Sequence, residues 1–419
     1  MTRAIKFVLA AVGLFVLLLL LLGLYFRFFF DPNDFRQKLG DVVETQTGRS
    51  LTIEGDIDLH YFPWVGMTIG RTRLGEDAAF GDGDFVSFDS ASVRVKLMPL
   101  LKKELEVGKL TLDGLTVNAI RNAQGVDNWS TLLSESDSAA QAPATDAGAP
   151  ASPFSTSSIG GLELTNANIS FDDRQAGTTM RLTNMDASTG AIGSGSQEIA
   201  VQAGFDLSVS EPALAVRVDL SGDGRNEDGT LRFANPVLRV SGDQQKLSQD
   251  LAVDEFLLEV TAPAMAASEA AINMPSPTVQ LSAKGGSLDD LNLEFRADSL
   301  AMDIEGDKLE LPKPAVTLAV SGDIVPAPVD LDLTADALTV APTAETMTLS
   351  NYVLDAMGVS ARGSLNASKW SSNLRASGPL DVPTFSAREL MSRLDIPVET
   401  ADSSALSKVS LKGAIDMRG

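Results

Sequence analysis

The chain contains no cysteine and a single histidine among its 419 residues. Without cysteine it can form no disulfide, carries no thiol nucleophile and offers no thiolate to a metal. One histidine is too few for a histidine-based metal site, and no nucleophile elbow or phosphate-binding glycine loop accompanies it. We therefore predict no catalytic residues, no metal and no cofactor, and we expect that the protein is not an enzyme.

Basic residues are also scarce. The chain has 33 Lys and Arg against 56 Asp and Glu, a formal net charge of −23. Nucleic acid requires a concentrated basic surface, so this balance argues against DNA or RNA as a partner. Aromatic residues make up only 6% of the chain, while small and β-branched residues abound, which is typical of many thin strands joined by tight turns.

Charge is absent from one long stretch, residues 7–26, which lies between Lys6 and Arg27. At about 1.5 Å per residue this run spans roughly 30 Å, the thickness of a bilayer's hydrocarbon core. Arg3 and Lys6 precede it, so residues 1–6 are predicted to stay in the cytoplasm and the rest to lie across the membrane. A cleaved signal peptide would have a shorter apolar core and small residues at its cleavage site, where this chain has Phe28 to Phe30. We predict an uncleaved anchor over residues 7–26.

A short amphipathic helix is predicted to follow the anchor, opening at Asp31-Pro32 and ending at Gly48. Phe35, Leu39 and Val42 fall on one face of it, with Val43 beside them. We expect this helix to lie beside the membrane or against the start of the next domain.

From Ser50 the apolar period changes to two, which predicts β-strands. Residues 27–133 form the first β module together with its leading helix. Residues 134–158 are almost entirely small or polar and are predicted to be a disordered linker or an extruded loop. Residues 159–419 form a repetitive β body. Leu110, Leu112, Val117 and Gly125 recur about 52 positions later as Leu162, Leu164, Ile169 and Gly177, and Ser-Gly-Asp turns are predicted at 221–223, 241–243 and 321–323. A late helix is predicted near residues 387–394, and the last segment, Val409 to Met417, is predicted to be an interrupted strand pair.

Several polar groups are candidate sites. We interpret three of them as solvated surface: His60, the carboxylates Glu54, Asp56 and Asp58, and the basic residues around Lys102-Lys103. Contact with anionic lipid is the alternative for the basic residues. We interpret Asp172-Asp173-Arg174 and Asn128-Trp129 as structural turns. Ligand contact is the alternative for Asn128-Trp129.

Local patterns in a fixed order make the sequence resemble the AsmA family of anchored periplasmic proteins of Gram-negative bacteria. After the anchor come Thr47-Gly48-Arg49, Phe62-Pro63, Met98-Pro99-Leu100-Leu101, Asp113-Gly114, the segment from Arg121-Asn122 to Asn128-Trp129, Phe171-Asp172-Asp173-Arg174, and residues 384–401 with Arg388. No single pattern is specific, but their order extends over nearly the whole chain. Family members usually continue beyond the equivalent of Gly419, so we expect a truncated or short member.

The resemblance implies a mainly β fold: an elongated, curved and largely antiparallel sheet that forms an open hydrophobic groove, related to chorein-type bridge-like lipid-transfer proteins. The residues themselves show amphipathic strands with too few helices to cover them, which leaves two alternatives, a sheet curled into a packed core or an open gutter filled by apolar chains. The alternation gives the following inward-facing groove candidates: Ile53, Ile57, Val95, Leu112, Val117, Leu164, Ile169, Phe205, Val216, Leu281, Leu293, Leu318 and Leu331.

The resemblance also implies a role in outer-membrane biogenesis or lipid homeostasis, with the anchor in the inner membrane and the bulk of the chain in the periplasm. The expected partners are phospholipid acyl chains and the inner membrane, and a protein partner at the far end is unknown. The alternative function is a non-enzymatic assembly factor or scaffold for outer-membrane proteins, acting through protein contacts such as strand addition at a sheet edge.

Overall fold

A computed structural model describes residues 32–60, 64–101, 104–130, 155–193, 199–211, 213–227, 230–246, 252–397, 399–400, 402 and 404–418. They form two compact units, Met1–Asp186 with Gly190–Ser194, and Ala187–Thr189 with Gly195–Gly419. Both units are built mainly of strands, as the alternation predicts. The predicted anchor and residues 131–154 lie outside the described residues.

Helices are few in the described ranges. A 3-10 turn over Pro32–Phe35 leads into α1 (Arg36–Thr47), and the others are α2 (Leu97–Leu101) and α3 (Ala387–Arg393). Gly48 ends α1 in the left-handed conformation, with a φ of 68°, and its N–H bonds to the carbonyl of Glu44, which confirms the predicted helix end. The late helix is confirmed too, with the Ser386 side chain accepting from the N–H of Glu389. In the described part of the chain we find no helix with the length and apolarity that crossing a membrane requires.

The strands of unit 1 are short at first and longer later. They are β1 (Leu51–Ile53), β2 (Ile57–His60), β3 (Trp64–Ile69), β4 (Thr72–Gly75), β5 (Asp84–Phe88), β6 (Ser90–Lys96), β7 (Glu104–Val107), β8 (Leu110–Asp113), β9 (Thr116–Arg121), β10 (Ser155–Ile159), β11 (Leu162–Asp173), β12 (Thr178–Thr189, whose last three residues belong to unit 2) and β13 (Ile192–Gly193).

Unit 1 is a mixed sheet in which the 52-residue repeat pairs with itself. β8 and β9 run parallel to β11, and Leu110 lies opposite Leu162, Leu112 opposite Leu164, and Val117 opposite Ile169. Side chains bond across the same interval: the Thr165 hydroxyl donates to Asp113 at 2.6 Å. The repeat predicted from the sequence is therefore two copies of one strand pattern lying side by side in register.

Unit 2 contains the longest strands. They are β14 (Ile199–Val209), β15 (Leu214–Glu227), β16 (Thr230–Lys246), β17 (Ala252–Thr261), β18 (Ala264–Ala267), β19 (Ala271–Pro275), β20 (Thr278–Gly285), β21 (Leu288–Arg296), β22 (Ser299–Asp303), β23 (Lys308–Pro312), β24 (Ala315–Ser321), β25 (Val329–Thr334), β26 (Ala337–Ala341), β27 (Thr346–Ala356), β28 (Val359–Ser368), β29 (Arg375–Phe385) and β30 (Val409–Arg418).

Neighbouring strands of unit 2 run antiparallel in every register that the described residues define. β14, β15, β16, β17, β20, β21, β24, β25 and β27 pair in that order. A second run pairs β16 with β18 and then β19, β22, β23, β26 and β27. The two runs share β16 and β27, and five shorter strands of each run lie between these two long strands. We call these runs the first wall and the second wall.

A line of bent backbone separates the two walls. Asn235, Ser276, Lys313 and Asn351 have φ values of 42–48°, and proline follows the first three. Proline lacks an N–H and therefore interrupts the ladder. Backbone hydrogen bonds connect neighbouring bends. The Ser276 N–H donates to the Asp298 carbonyl at 2.9 Å, and the Asp298 N–H donates to the Pro312 carbonyl at 3.0 Å. We call this line the crease.

Unit 1 has an equivalent bend. Gly114, with a φ of 67°, lies between β8 and β9, and Asn166, with a φ of 53°, interrupts β11 between its pairings with those two strands. The Asp113 carboxylate braces the bend, because it accepts from the Thr165 hydroxyl and from the Asn166 amide at 3.1 Å.

Three sequence predictions need correction. The strand after the predicted linker begins at Ser155 rather than Ile159, because backbone pairing with β7 extends it through residues without apolar alternation. The Ser-Gly-Asp motifs at 221–223 and 241–243 lie inside β15 and β16 rather than at turns, and their glycines make room for close neighbours: a Cβ at Gly242 would lie 2.6 Å from the Phe256 ring. The last segment, predicted as an interrupted strand pair, is the single strand β30 paired with β29.

The brace at Asp113 predicts a pH dependence. The hydrogen bond from Thr165, with a second from Asn166, lowers the pKa of Asp113 below its ordinary value of 3.8. A lowered pKa in the folded state means that the stabilisation is present above the unfolded pKa and is lost as the pH falls through the folded one. We expect Asp113→Ala to lower the melting temperature at pH 7, and the difference from the wild type to shrink below about pH 4. Thermal melts followed by circular dichroism at pH 7 and pH 3 check this, with Thr165→Val as a partial mimic. A difference that stays the same at both values would contradict it.

Candidate functional site

A row of apolar side chains crosses eight neighbouring strands of unit 2 on one face of the sheet. Each member lies directly opposite the next in the strand register, so all of them point the same way. The row consists of Phe205, Val218, Val240, Leu258, Leu281, Leu293, Leu318 and Leu331, in strands β14, β15, β16, β17, β20, β21, β24 and β25. We call it the apolar row.

All six groove candidates in unit 2 belong to this face. Phe205, Leu281, Leu293, Leu318 and Leu331 are members of the row itself. Val216 lies two residues before Val218 on β15 and therefore points to the same side. Alternation in the sequence identified residues on one common face, although they are up to 126 positions apart (331 minus 205).

The apolar row is not completely buried. Val218 is buried at 8% exposure, while the other members of the row are partly exposed. The buried apolar cluster nearby is small and consists of Val253, Ala283 and Leu288. A packed sandwich would bury such a row completely, because side chains of a second sheet would interdigitate with it. The described residues of unit 2 thus leave a continuous apolar surface partly open.

The opposite face of the same strands is polar. Its rows include Glu259, Gln280, Glu294, Thr317 and Asp332, which lie opposite one another in the same register. A concavity of about 670 Å³ lies against these strands. It is lined by these residues, by neighbours of the same face such as Ser282 and Asn292, and by Leu281, Leu293, Leu318 and Leu331 of the apolar row.

The second wall carries an apolar row of its own. Ile272, Met302, Leu309, Val340 and Met347 lie opposite one another in five successive strands. Where the chain passes from one wall to the other, the nearest apolar positions are five residues apart, as in Met274 and Val279 or Leu311 and Val316. Because five is odd, the bend at the crease changes which residues of the alternation point to a given face.

The seven candidates in unit 1 fall into two groups on either side of its bend. Ile57, Leu112 and Leu164 belong to one cross-strand row that also includes Ile69 and Ala91, and Val95 points to the same face. Val117 and Ile169 belong to another row, formed with Leu51, Leu74 and Val86, and Ile53 is two residues from Leu51. Ile57 is buried at 4% exposure, and the other six are partly exposed.

The familial polar motifs meet in a buried cluster that the sequence did not predict. Arg49 is 2% exposed, and its guanidinium contacts Glu76 at 3.2 Å, bonds to the Asn128 carbonyl and lies over the Phe85 ring at 4.6 Å. The Asn128 amide donates to Glu76 at 2.6 Å and to the Asn118 carbonyl at 2.9 Å, and Asn128 accepts from the Ile120 N–H. We call Arg49, Glu76 and Asn128 the buried cluster. It joins the end of α1, the turn after β4 and the loop after β9.

Other polar candidates are structural or exposed. Asp173 accepts from the N–H groups of Gln175 and Ala176 and from Arg121 at 3.2 Å, which confirms the predicted turn. His60 is exposed at the end of β2. Among the described residues no set of three or more His, Asp or Glu side chains is placed to hold a metal ion. Lys102 and Lys103 lie outside the described residues.

Comparison with known proteins decides the family. The sequence profile of the AsmA family matches residues 1–392. The chain belongs to the AsmA family. It is also similar to Protein AsmA of Escherichia coli strain K12, with 28% identity over 96 residues, which is 23% of this chain and 15% of that protein's length. No solved structure matches the chain.

The sequence analysis of this AsmA-family chain predicted neither the crease nor the buried cluster. The crease had a signal, the recurrence of a turn-prone residue before proline at 235–236, 276–277 and 313–314 with apolar residues five apart around it. The buried cluster had no signal in the sequence beyond the order of the familial motifs, because an arginine such as Arg49 or a glutamate such as Glu76 is usually a surface residue.

The buried cluster predicts a large difference between two arginines of unit 1. Removing one partner of a buried ion pair leaves an uncompensated charge, so Arg49→Ala should cost about 3–5 kcal/mol of unfolding free energy. Arg71 pairs with Asp89 at 2.6 Å, but the two side chains are 61% and 52% exposed, so solvent screens the pair and Arg71→Ala should cost far less unfolding free energy than Arg49→Ala. Urea unfolding of both variants measures this. Equal losses in the two variants would contradict a stabilising role for the buried cluster.

Proposed function

We propose that this protein binds lipid acyl chains on the apolar face of unit 2 and conducts them across the periplasm toward the outer membrane. The observation that carries the proposal is the apolar row from Phe205 to Leu331, which crosses eight strands without a polar member and is not completely buried. A continuous apolar surface that is still partly exposed marks a binding surface.

The dimensions of the row suit an acyl chain. Eight strands at about 4.8 Å spacing extend roughly 34 Å. One leaflet of a bilayer has an apolar thickness of about 15 Å, half of the hydrocarbon core. A tail of that length can therefore lie along the row with several strands to spare, and it can slide from one strand to the next without leaving apolar contact.

The contacts along the apolar row hold an acyl tail but also allow it to move. Each methylene removed from water contributes about 0.8 kcal/mol, so a tail is held firmly by many weak contacts. No member of the row is polar, so no step of the movement breaks a hydrogen bond. The charged side chains of these strands, such as Glu259 and its ion-pair partner Arg239, belong to the opposite face. The second wall is assigned to the same groove, with the crease between the two walls.

The proposed placement of the protein is supported by its sequence and its family. The uncharged run over residues 7–26 is proposed to anchor the chain in the inner membrane, with the β body in the periplasm. Family membership supports a role in the cell envelope that is related to the outer membrane. Phospholipids are the proposed cargo, and no chemical step is required of the protein.

Paired substitutions on the two faces of one hairpin test the proposal. Leu281 and Leu293 lie opposite each other in the apolar row, whereas Ser282 and Asn292 lie opposite each other on the polar face one residue away. We expect Leu281→Asp with Leu293→Asp to leave the protein folded, because the carboxylates can reach water beside a half-open face. The phospholipid that co-purifies with the detergent-extracted protein, measured by mass spectrometry, should fall several-fold. Ser282→Asp with Asn292→Asp should leave it unchanged.

Three results would count against the proposal. Unfolding of the leucine pair alone would indicate a closed core, since a buried, unpaired carboxylate costs several kcal/mol. A folded leucine pair with full lipid content would show that lipid binds elsewhere. An equal loss of lipid in both pairs would show an effect of added charge rather than of the apolar row.

A second function, a scaffold for other envelope proteins, is favoured by one observation. β30 pairs only with β29 in the registers that the described residues define, and its Leu411 and Met417 are 54% and 51% exposed. Apolar side chains that are exposed on a strand can contact a protein partner. Leu411→Lys with Met417→Lys should then abolish cross-linking to a protein partner in cells while the lipid content stays the same. Unchanged cross-linking would remove the support for a scaffold.

A further inference from the structure

Helix α1 is held against unit 1 by one side. Arg36 pairs with Asp56 at 2.8 Å, between the helix and the residue before β2. Gly40 packs closely on β1, since a Cβ there would lie 3.0 Å from the Leu51 carbonyl oxygen. Val43 and Thr47 continue this side and are partly buried. These contacts determine which sides of α1 face away from the strands of unit 1.

An adjacent side of the same helix is apolar and exposed. Phe35, Leu39 and Val42 are 43%, 44% and 53% exposed. At about 100° per residue these three positions lie within an arc of roughly 60°. Lys38 borders them, with its ammonium 5.3 Å from the centre of the Phe35 ring. We call Phe35, Leu39 and Val42 the helix stripe.

The bilayer is the surface within reach of this stripe. Phe26, the last residue of the uncharged run, and Phe35 are nine positions apart. Nine residues span at most about 30 Å even when fully extended. A helix with an apolar stripe and a flanking lysine, so close to a membrane anchor, has the features of an interfacial helix that sinks its apolar side to the headgroup level.

We propose that α1 lies in the interface of the bilayer that holds the anchor, with the helix stripe among the lipid headgroups, and so gives unit 1 a fixed orientation on the membrane. This inference rests on the proposed anchoring of residues 7–26. It is independent of the apolar row, because no residue of the stripe belongs to unit 2.

The absence of cysteine allows a direct test in the full-length chain. Single cysteines are introduced by Leu39→Cys and Val42→Cys in the stripe, and by Gln37→Cys and Glu44→Cys as matched controls at exposed positions on the other sides of the helix. Leu18→Cys reports on the anchor. Each variant carries an NBD fluorophore and is reconstituted in vesicles of phosphatidylethanolamine and phosphatidylglycerol. Quenching by doxyl-labelled lipid and by aqueous iodide is then measured separately.

Labels at Leu39 and Val42 should be quenched by doxyl lipid at least twofold more than labels at Gln37 and Glu44, and less by iodide. Iodide quenching at Leu39 equal to that at Gln37 would overturn the inference. Protection of the Leu39 label from both quenchers would also overturn it, because that result indicates a protein cover. If either of these two results is accompanied by strong lipid quenching at Leu18, residues 7–26 are in the membrane and only the proposal of an interfacial helix is wrong. Iodide quenching at Leu18 would remove the anchoring on which the inference depends.

Discussion

The strand register is the constraint on which the rest of this structure depends. Side chains alternate with a period of two, so one face of unit 2 stays apolar only if every strand from β14 to β25 keeps its pairing. A slip of one residue at β21 would replace Leu293 in the row with Asn292 or Glu294. The row could not then continue from Leu281 to Leu318. The polar face has the same requirement, since its ion pair between Arg239 and Glu259 is made across one register step.

The crease strengthens this constraint. A proline or a left-handed residue can be accommodated at only a few points of a strand, so a bend that recurs in neighbouring strands aligns them. Ser276 and Lys313 occupy such points, and hydrogen bonds through Asp298 connect the bends of their strands. The bends also separate the half-strands of the first wall from those of the second wall. The proposed groove has two walls for this reason.

Much of the fold was predictable because it depends on local patterns. Alternation identified Leu281, Leu293, Leu318 and Leu331 as one face. The 52-residue repeat was visible in the sequence, but the parallel pairing of β8 and β9 with β11 was not predicted from it. Long-range polar contacts were not predictable. Arg49 meets Asn128 across 79 positions, and no local rule brings an arginine and an asparagine together over that distance. The Ser-Gly-Asp motifs at 221–223 and 241–243 were misinterpreted as turns, because a glycine inside a strand gives the same local signal as a turn glycine.

The most direct test of the central claim is photo-cross-linking in living cells. The photoreactive residue p-benzoylphenylalanine replaces Leu293 on the apolar row or, as the control, Asn292 on the polar face of the same strand. The account predicts that irradiation joins phospholipid to the probe at position 293 and not to the probe at 292, as read from radiolabelled phosphate on the purified protein. Equal labelling at both positions, or labelling at 292 alone, would contradict a lipid path along the apolar row.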